Sequence, residues 1–464
     1  MAIGCRIAVV AFVATACGDN VQPTTEDVIA QLRALPHVHD AAEQTTLTPG
    51  VHYIVLHFAQ PVDHADPMSP TFLQEVSLLH RDIDAPLVVH TSGYWDYYRD
   101  QPVELTQLLT ANQISIEHRY FGESRPEPAD WTQLTVEQMA NDEHVIVSEL
   151  RTIYPGMALA TGGSKGGMTA VFYRRFFPDD VDGTVPYVAP ISFGAPDLRY
   201  AGFFDSVGTA DCRQAVREIA THMLRDRRAA LEQRTREQAT QNSYSYSRVA
   251  VEPAVEAAIA SVEWSFWQYF GIEYCPQLPG ADATDDQLFE FLDAVSAPSD
   301  NDDAKVRLFE AFYYQADFQL GYPNGGGEYL RSYLKYSDSD YIAALPTLQP
   351  PYDGGAAMRD IDDFVRNDGD RFVFVYGEWD PWTAGAFELG DAADSLRLVV
   401  RRGTHAATLS GLAEPDREAA FAKLAAWTHV QPTLPVGRAL TAAPKPVRPP
   451  SAWMRALRVV RRAR

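Results

Sequence analysis

Thr161-Gly162-Gly163-Ser164-Lys165-Gly166-Gly167 is the stretch on which the fold turns. It holds the pattern G-x-S-x-G between a short apolar run, Met157-Ala158-Leu159-Ala160, and Met168, Val171, Phe172 and Phe176 at helical spacing. A serine between strand and helix, framed by glycines, marks a sharp turn that projects the hydroxyl, a nucleophile elbow. The glycines allow strained backbone and close packing there. A serine hydroxyl attacks poorly at neutral pH, so a partner base is expected elsewhere in the chain. Ser164 is the candidate nucleophile. The alternative, a chance glycine-rich loop, does not account for the strand before it and the amphipathic helix after it.

Working outward, apolar strands recur at residues 51–58, 76–80, 86–90, 114–116, 157–160, 184–188, 371–376 and 396–400, with helical patterns between the later ones. Strands alternating with helices predict an α/β fold, a mostly parallel sheet with helices on both faces. From 191 to about 358 the strand signal disappears, and helix-compatible stretches over 212–241 and 287–318 take its place. An inserted helical cap between the sixth and seventh predicted strands is expected. An independent helical domain is the alternative. The predicted organisation is a signal peptide over 1–16, a lipid-anchored or flexible tether over 17–48 with a short helical stretch near Glu26 to Leu35, core over 49–190, cap over 191–358, core again over 359–430, and a Pro-rich basic tail over 431–464.

With 46% hydrophobic and 11% aromatic residues in 464, the chain can bury one large core, or a core with a sizeable cap. A formal charge of −23 argues against a nucleic-acid partner and is compatible with a cationic substrate. Arg6, an apolar stretch from Ile7 to Ala14 and small residues before Cys17 follow the grammar of an export signal. The stretch is too short to span a bilayer. Val13-Ala14-Thr15-Ala16-Cys17-Gly18 resembles a bacterial lipobox without its usual leucine. Lipidation of Cys17 is expected, with ordinary cleavage and secretion as the alternative. Cys212 and Cys275 then remain as an even pair in an exported chain, which predicts a disulfide; two free thiols are the alternative. The tail carries eight Lys/Arg and no acidic residue, and reads as solvated chain.

A nucleophilic serine needs a base, and the base needs an acid. In the α/β-hydrolase fold the chain order is Ser, then Asp or Glu, then His. Of the twelve histidines, His222, His405 and His429 follow Ser164. His222 falls within a predicted cap helix and His429 at a helix end. His405 lies in the loop after the last predicted strand, where an imidazole can return over the nucleophile. The acid should leave the preceding strand, and Phe372-Val373-Phe374-Val375-Tyr376 runs into Gly377-Glu378-Trp379-Asp380-Pro381-Trp382. Asp380, turned by the following proline, is preferred over Glu378. The oxyanion requires two donors. The Lys165 N–H is one; the other comes from Gly93 or Tyr94, with Tyr94 taken. The Lys165 side chain is expected in solvent, since the mechanism requires no cation there.

These motifs together resemble the secreted bacterial prolyl tripeptidyl aminopeptidases, and more distantly the prolyl carboxypeptidase and dipeptidyl peptidase II group. The segments concerned are Gln60-Pro61-Val62-Asp63-His64, Thr71-Phe72-Leu73-Gln74, Glu117-His118-Arg119-Tyr120-Phe121-Gly122-Glu123-Ser124, the GGSKGG elbow, and Gly377 to Trp382. The resemblance implies an α/β-hydrolase serine peptidase with a helical cap, releasing short peptides from free amino termini after proline, with Ser164, Asp380 and His405 as nucleophile, acid and base. A prolyl ring needs an apolar slot, for which Trp379, Trp382, Tyr94 and Trp95 are candidates, although core packing explains them equally. A free amino terminus needs carboxylates, and Glu123 and Glu328 are the candidates among many solvated ones. Glu117-His118-Arg119 is read as bracing. His37-Val38-His39-Asp40 has ligand-type residues, but nothing near it completes a metal site, so neither metal nor cofactor is expected. The expected partners are peptides, with membrane contact only through a lipid anchor. An esterase or lipase, or a non-catalytic lipid-anchored binding protein, are the competing readings.

Overall fold

The computed structural model describes residues 24–97, 100–324, 327–336 and 350–434. The expected signal peptide, Cys17 and the tail from 435 lie outside the described residues. Nine strands form one sheet: β1 (Val38–Gln44), β2 (His52–Pro61), β3 (Thr71–His80), β4 (Leu87–Thr91), β5 (Asn112–Ile116), β6 (Ala158–Gly163), β7 (Gly183–Tyr187), β8 (Val373–Gly377) and β9 (Leu396–Val400), in the spatial order β1-β2-β3-β5-β4-β6-β7-β8-β9. The pairings among β1, β2, β3 and β5 are antiparallel, and every pairing from β5 through β4 to β9 is parallel.

The central strands β4 and β5 are buried at every position, as expected of parallel strands covered on both faces. Side-chain alternation divides the core. Leu87 and Val89 pack with Ile146, Leu150 and Ala170 on one face, whereas Val88 packs with Leu105, Leu108 and Trp427 on the other. This is the α/β-hydrolase architecture, with the elbow at its centre. The chain proceeds from β4 to one neighbour, β5, and then returns to place β6 on the other side of β4. Ligands of open α/β sheets bind at the carboxyl ends of strands beside such a reversal.

Part of the stretch expected to be a tether belongs to the domain. Helix α1 (Thr25–Arg33) starts at Thr24, whose side chain forms a capping box with Asp27. The helix buries Val28 and Leu32 in the core, and β1 follows as the outermost strand. Only Ala41 of β1 is buried, so its residues carry no apolar signal from which a strand could be read. Counting β1, the insertion falls between β7 and β8. No strand occurs among the described residues there; helices Ala210–His222, Arg228–Asn242, Val251–Ala260, Val262–Tyr269, Asp285–Val295 and Asp303–Gln315 build it. They close over their own core, including Leu231, Ile259, Trp267 and Leu292. Cys212 and Cys275 are disulfide-bonded within it, with Cα atoms 5.6 Å apart. Helix Ala356–Asn367 returns to the sheet, packing Ile361 and Val365 with Phe372 and Phe374. No described helix is long and apolar enough to cross a membrane.

Candidate active site

β6 ends at Gly163 and a helix begins at Lys165, running to Phe176. Ser164 joins them at φ 56°, ψ −125°. A non-glycine residue rarely adopts that conformation, and here the surroundings enforce it. The Ser164 N–H donates to the Tyr187 carbonyl of β7 at 2.8 Å. A Cβ on Gly166 would lie 2.4 Å from the Thr91 carbonyl oxygen, so the helix start presses against the end of β4 with no room for a side chain.

β8 and β9 run parallel to β6 and β7, so their exits lie along the same edge of the sheet as the elbow. The two exit loops are tied together: Glu378 N–H donates to Val400 O at 3.1 Å and Trp379 N–H to Gly403 O at 2.8 Å. Within this frame His405 Nδ1 donates to Asp380 Oδ2 at 2.7 Å, with the two side chains 10% and 0% exposed. A carboxylate only accepts, so Nδ1 carries a proton, and in the neutral form of the ring the lone pair is on Nε2. Neither His405 Nε2 nor Ser164 Oγ makes a hydrogen bond among the described residues. Asp380 Oδ1 also accepts from the Trp382 N–H at 3.2 Å. The other sequence candidates are occupied elsewhere. Glu378 is exposed and accepts from Arg402 N–H at 2.5 Å; His222 pairs with Asp226 at 2.9 Å; His429 is exposed at a helix end.

The inserted region touches this site through residues that sequence alone does not mark. Gln268 O accepts from the His405 N–H at 2.8 Å. The Tyr269 ring stands edge-on to the imidazole, with centroids 6.1 Å apart. Trp382 lies 6.5 Å from His405 and packs on Trp264 at 5.0 Å and Tyr200 at 5.9 Å. Gln268 and Tyr269 form no motif with His405 and meet it only through folding.

Beside the elbow, the Lys165 and Tyr94 N–H groups have no acceptor among the described residues. Contrary to expectation, the Lys165 side chain is buried, and burial pulls its ammonium down to about 7. The aromatic rings around it exclude the water that a surface lysine would reach. Tyr94 and Trp95 belong to an aromatic cluster with Phe121 and Phe309. Trp379 packs against Gly271 and beneath Arg402, in the seam between the loop and the insertion. Of the two carboxylates expected to meet an amino terminus, Glu123 is exposed, and Glu328 pairs with Arg331 at 2.8 Å on the surface. Glu117 holds the adjacent loop, accepting from the N–H groups of Asp96, Glu123 and Ser124. Burial and then the Glu75 carboxylate push it up to about 8. Arg119 grips Asp142 with two bonds, at 2.6 and 2.8 Å. Among the described residues, no group of three or more His, Cys, Asp or Glu could hold a metal ion.

The chain is 36% identical over 417 residues to the prolyl tri/tetrapeptidyl aminopeptidase of Streptomyces mobaraensis, covering 89% of this chain and 86% of that one. Human lysosomal Pro-X carboxypeptidase is 30% identical over 214 residues, 40% of this chain and 41% of its own. A solved proline iminopeptidase of Mycobacterium smegmatis overlays with a TM-score of 0.38 at 13% identity, over 82% of this chain and 97% of that one, too loosely to bear on the site. The family model described as PS-10 peptidase S37 matches residues 21–457. With a glycine-framed serine at the centre of its sheet and that match over nearly its whole length, the chain belongs to the peptidase S37 family of serine peptidases.

Proposed function

We propose that the protein is an exported serine peptidase that removes short peptides, tripeptides foremost, from free amino termini after proline. The observation that carries the mechanism is the 2.7 Å bond between buried Asp380 and His405 on the sheet edge that also bears Ser164. The similarity to the tri/tetrapeptidyl aminopeptidase supports the substrate class. Ser164 Oγ attacks the prolyl carbonyl carbon while His405 Nε2 takes its proton, and Asp380 stabilises the imidazolium. The carbonyl pair moves onto oxygen, which the Lys165 and Tyr94 N–H groups receive. Collapse expels the amine, protonated by His405, and leaves an acyl-enzyme on Ser164. Water, deprotonated by His405, then releases the peptide acid. Trp382 and Tyr269, next to His405, are the rings placed to flank a prolyl group. The Arg6-to-Cys17 segment supports export, with Cys17 lipidated or the chain released.

Purified wild type and Ser164→Ala are compared on free and amino-blocked peptides with proline third, beside simple acyl esters. Cleavage of the free peptides alone, abolished in Ser164→Ala, is expected. Equal turnover of blocked peptides would remove amino-end recognition. Turnover of esters alone would make the protein an esterase, and activity retained in Ser164→Ala would exclude that nucleophile.

A further inference from the structure

Lys165 faces the elbow in two ways. Its backbone N–H opens the helix that follows Ser164, and a first-turn N–H has no intrahelical acceptor. Its side chain, only 3% exposed, turns under the loop after β4, where Nζ donates to the Gly93 carbonyl at 2.6 Å. The ammonium lies 5.4 Å from the centroid of the Tyr94 ring and 5.3 Å from that of Phe121.

The Gly93 carbonyl and the Tyr94 N–H belong to one peptide plane. In a trans peptide they point in opposite directions, so a donor that grips the oxygen also sets where the hydrogen points. The contact is tight: Gly93 sits at φ +71°, and a Cβ there would lie 2.5 Å from Gly166 N. The next carbonyl, that of Tyr94, is held by the Ser92 hydroxyl at 2.6 Å and the His118 N–H at 2.9 Å. The peptides on both sides of Tyr94 are therefore anchored through their carbonyls, while the Tyr94 N–H of the first has no acceptor among the described residues.

We propose that Lys165 is a positioning residue: by holding the Gly93 carbonyl it aims the Tyr94 N–H at the oxygen of the carbonyl under attack, so that one residue sets both oxyanion donors. This rests on Ser164 being the nucleophile. A cation on the carbonyl also polarises the peptide and strengthens its N–H as a donor. Desolvation opposes the charge on the ammonium and Glu143 favours it, while burial pushes the Glu143 carboxyl itself up.

Lys165→Met keeps the stem and removes the donor. The expected result is a kcat about a hundredfold lower, with KM within about twofold, and a thermal midpoint modestly lower because the Gly93 carbonyl loses its donor. Labelling of Ser164 by a fluorophosphonate, whose phosphoryl oxygen occupies the same hole, slows by a similar factor and needs no peptide specificity. A tripeptide ending in prolinal binds as a hemiacetal alkoxide: the Ser164 Oγ–carbon bond forms, the carbonyl pair moves to oxygen, and the serine proton passes to His405. Its affinity falls with kcat, while that of the product tripeptide acid does not. Lys165→Arg, which restores a cationic donor, recovers part of kcat. An unchanged kcat and labelling rate in Lys165→Met would overturn the proposal, as would equal losses for aldehyde and product. Failure of both variants to fold would assign Lys165 to stability and overturn it too. Absence of labelling at Ser164 in the wild type would instead remove the nucleophile on which the proposal rests.

Discussion

Ser164 combines the proposed role of nucleophile with a backbone conformation that side chains resist, and the two separate on substitution. Holding a non-glycine residue at φ 56° costs on the order of 1–3 kcal/mol, partly offset by the entropy that glycine loses on folding. Ser164→Gly is therefore expected to raise stability by about 1 kcal/mol while abolishing turnover; a thermal midpoint at or below wild type would show that the turn is relaxed. Asp380 makes the complementary case. In Asp380→Asn the amide offers His405 a donor instead of an acceptor, favouring the tautomer with its proton on Nε2, where it cannot take the proton of Ser164. A fall in kcat of about ten-thousandfold with KM little changed is expected from steady-state kinetics. A loss below tenfold would mean that the buried hydrogen bond is not part of the reaction. Both positions were legible in the sequence, because an elbow is a local pattern and chain order narrows its partners. The choice of Asp380 over Glu378 became geometric only when the turn at 400–403 claimed Glu378.

At the level of elements, the largest departure from the sequence-based expectation is β1, together with the packing of the expected helix, α1, into the core. Periodicity weakens where one face of an edge strand meets solvent, and β1 buries a single small side chain. The helix before it is anchored more firmly, with Val28 and Leu32 fully buried in the core shared with Ile54 and Leu56. Leu32→Ala should lower unfolding free energy by about 3 kcal/mol, read from denaturant or thermal unfolding. An unchanged midpoint would return residues 24–44 to the status of a tether. The parallel centre was easier to anticipate. β4, β5 and β8 are buried at every position; Leu87 to Val89 and Val373 to Tyr376 read as continuous apolar runs, whereas β5 shows only Ile114-Ser115-Ile116 after the polar Asn112 and Gln113.

Over the whole molecule, the loops that leave the sheet carry Asp380 and His405, and the insertion supplies contacts that hold His405 in place. Gln268 and Tyr269 lie inside the segment closed by Cys212 and Cys275, 63 residues apart. A closure of that length stabilises by about 4 kcal/mol in the chain-entropy description. Cys212→Ser with Cys275→Ser is expected to destabilise the insertion and loosen the seat of His405, so that activity on heating disappears below the main unfolding transition of the sheet. Coincident loss of activity and structure would mean that the insertion and sheet unfold as one unit. By itself the sequence determined the α/β-hydrolase class, the elbow at Ser164 and the order in which its partners follow, because glycine turns and hydrophobic period are set by neighbouring residues. Only the tertiary structure decided that Lys165 turns inward to Gly93, that Gln268 receives the backbone of His405, and that an apparently polar leader adds a strand. Those outcomes depend on which surfaces exclude water once distant segments meet, and no local pattern encodes that.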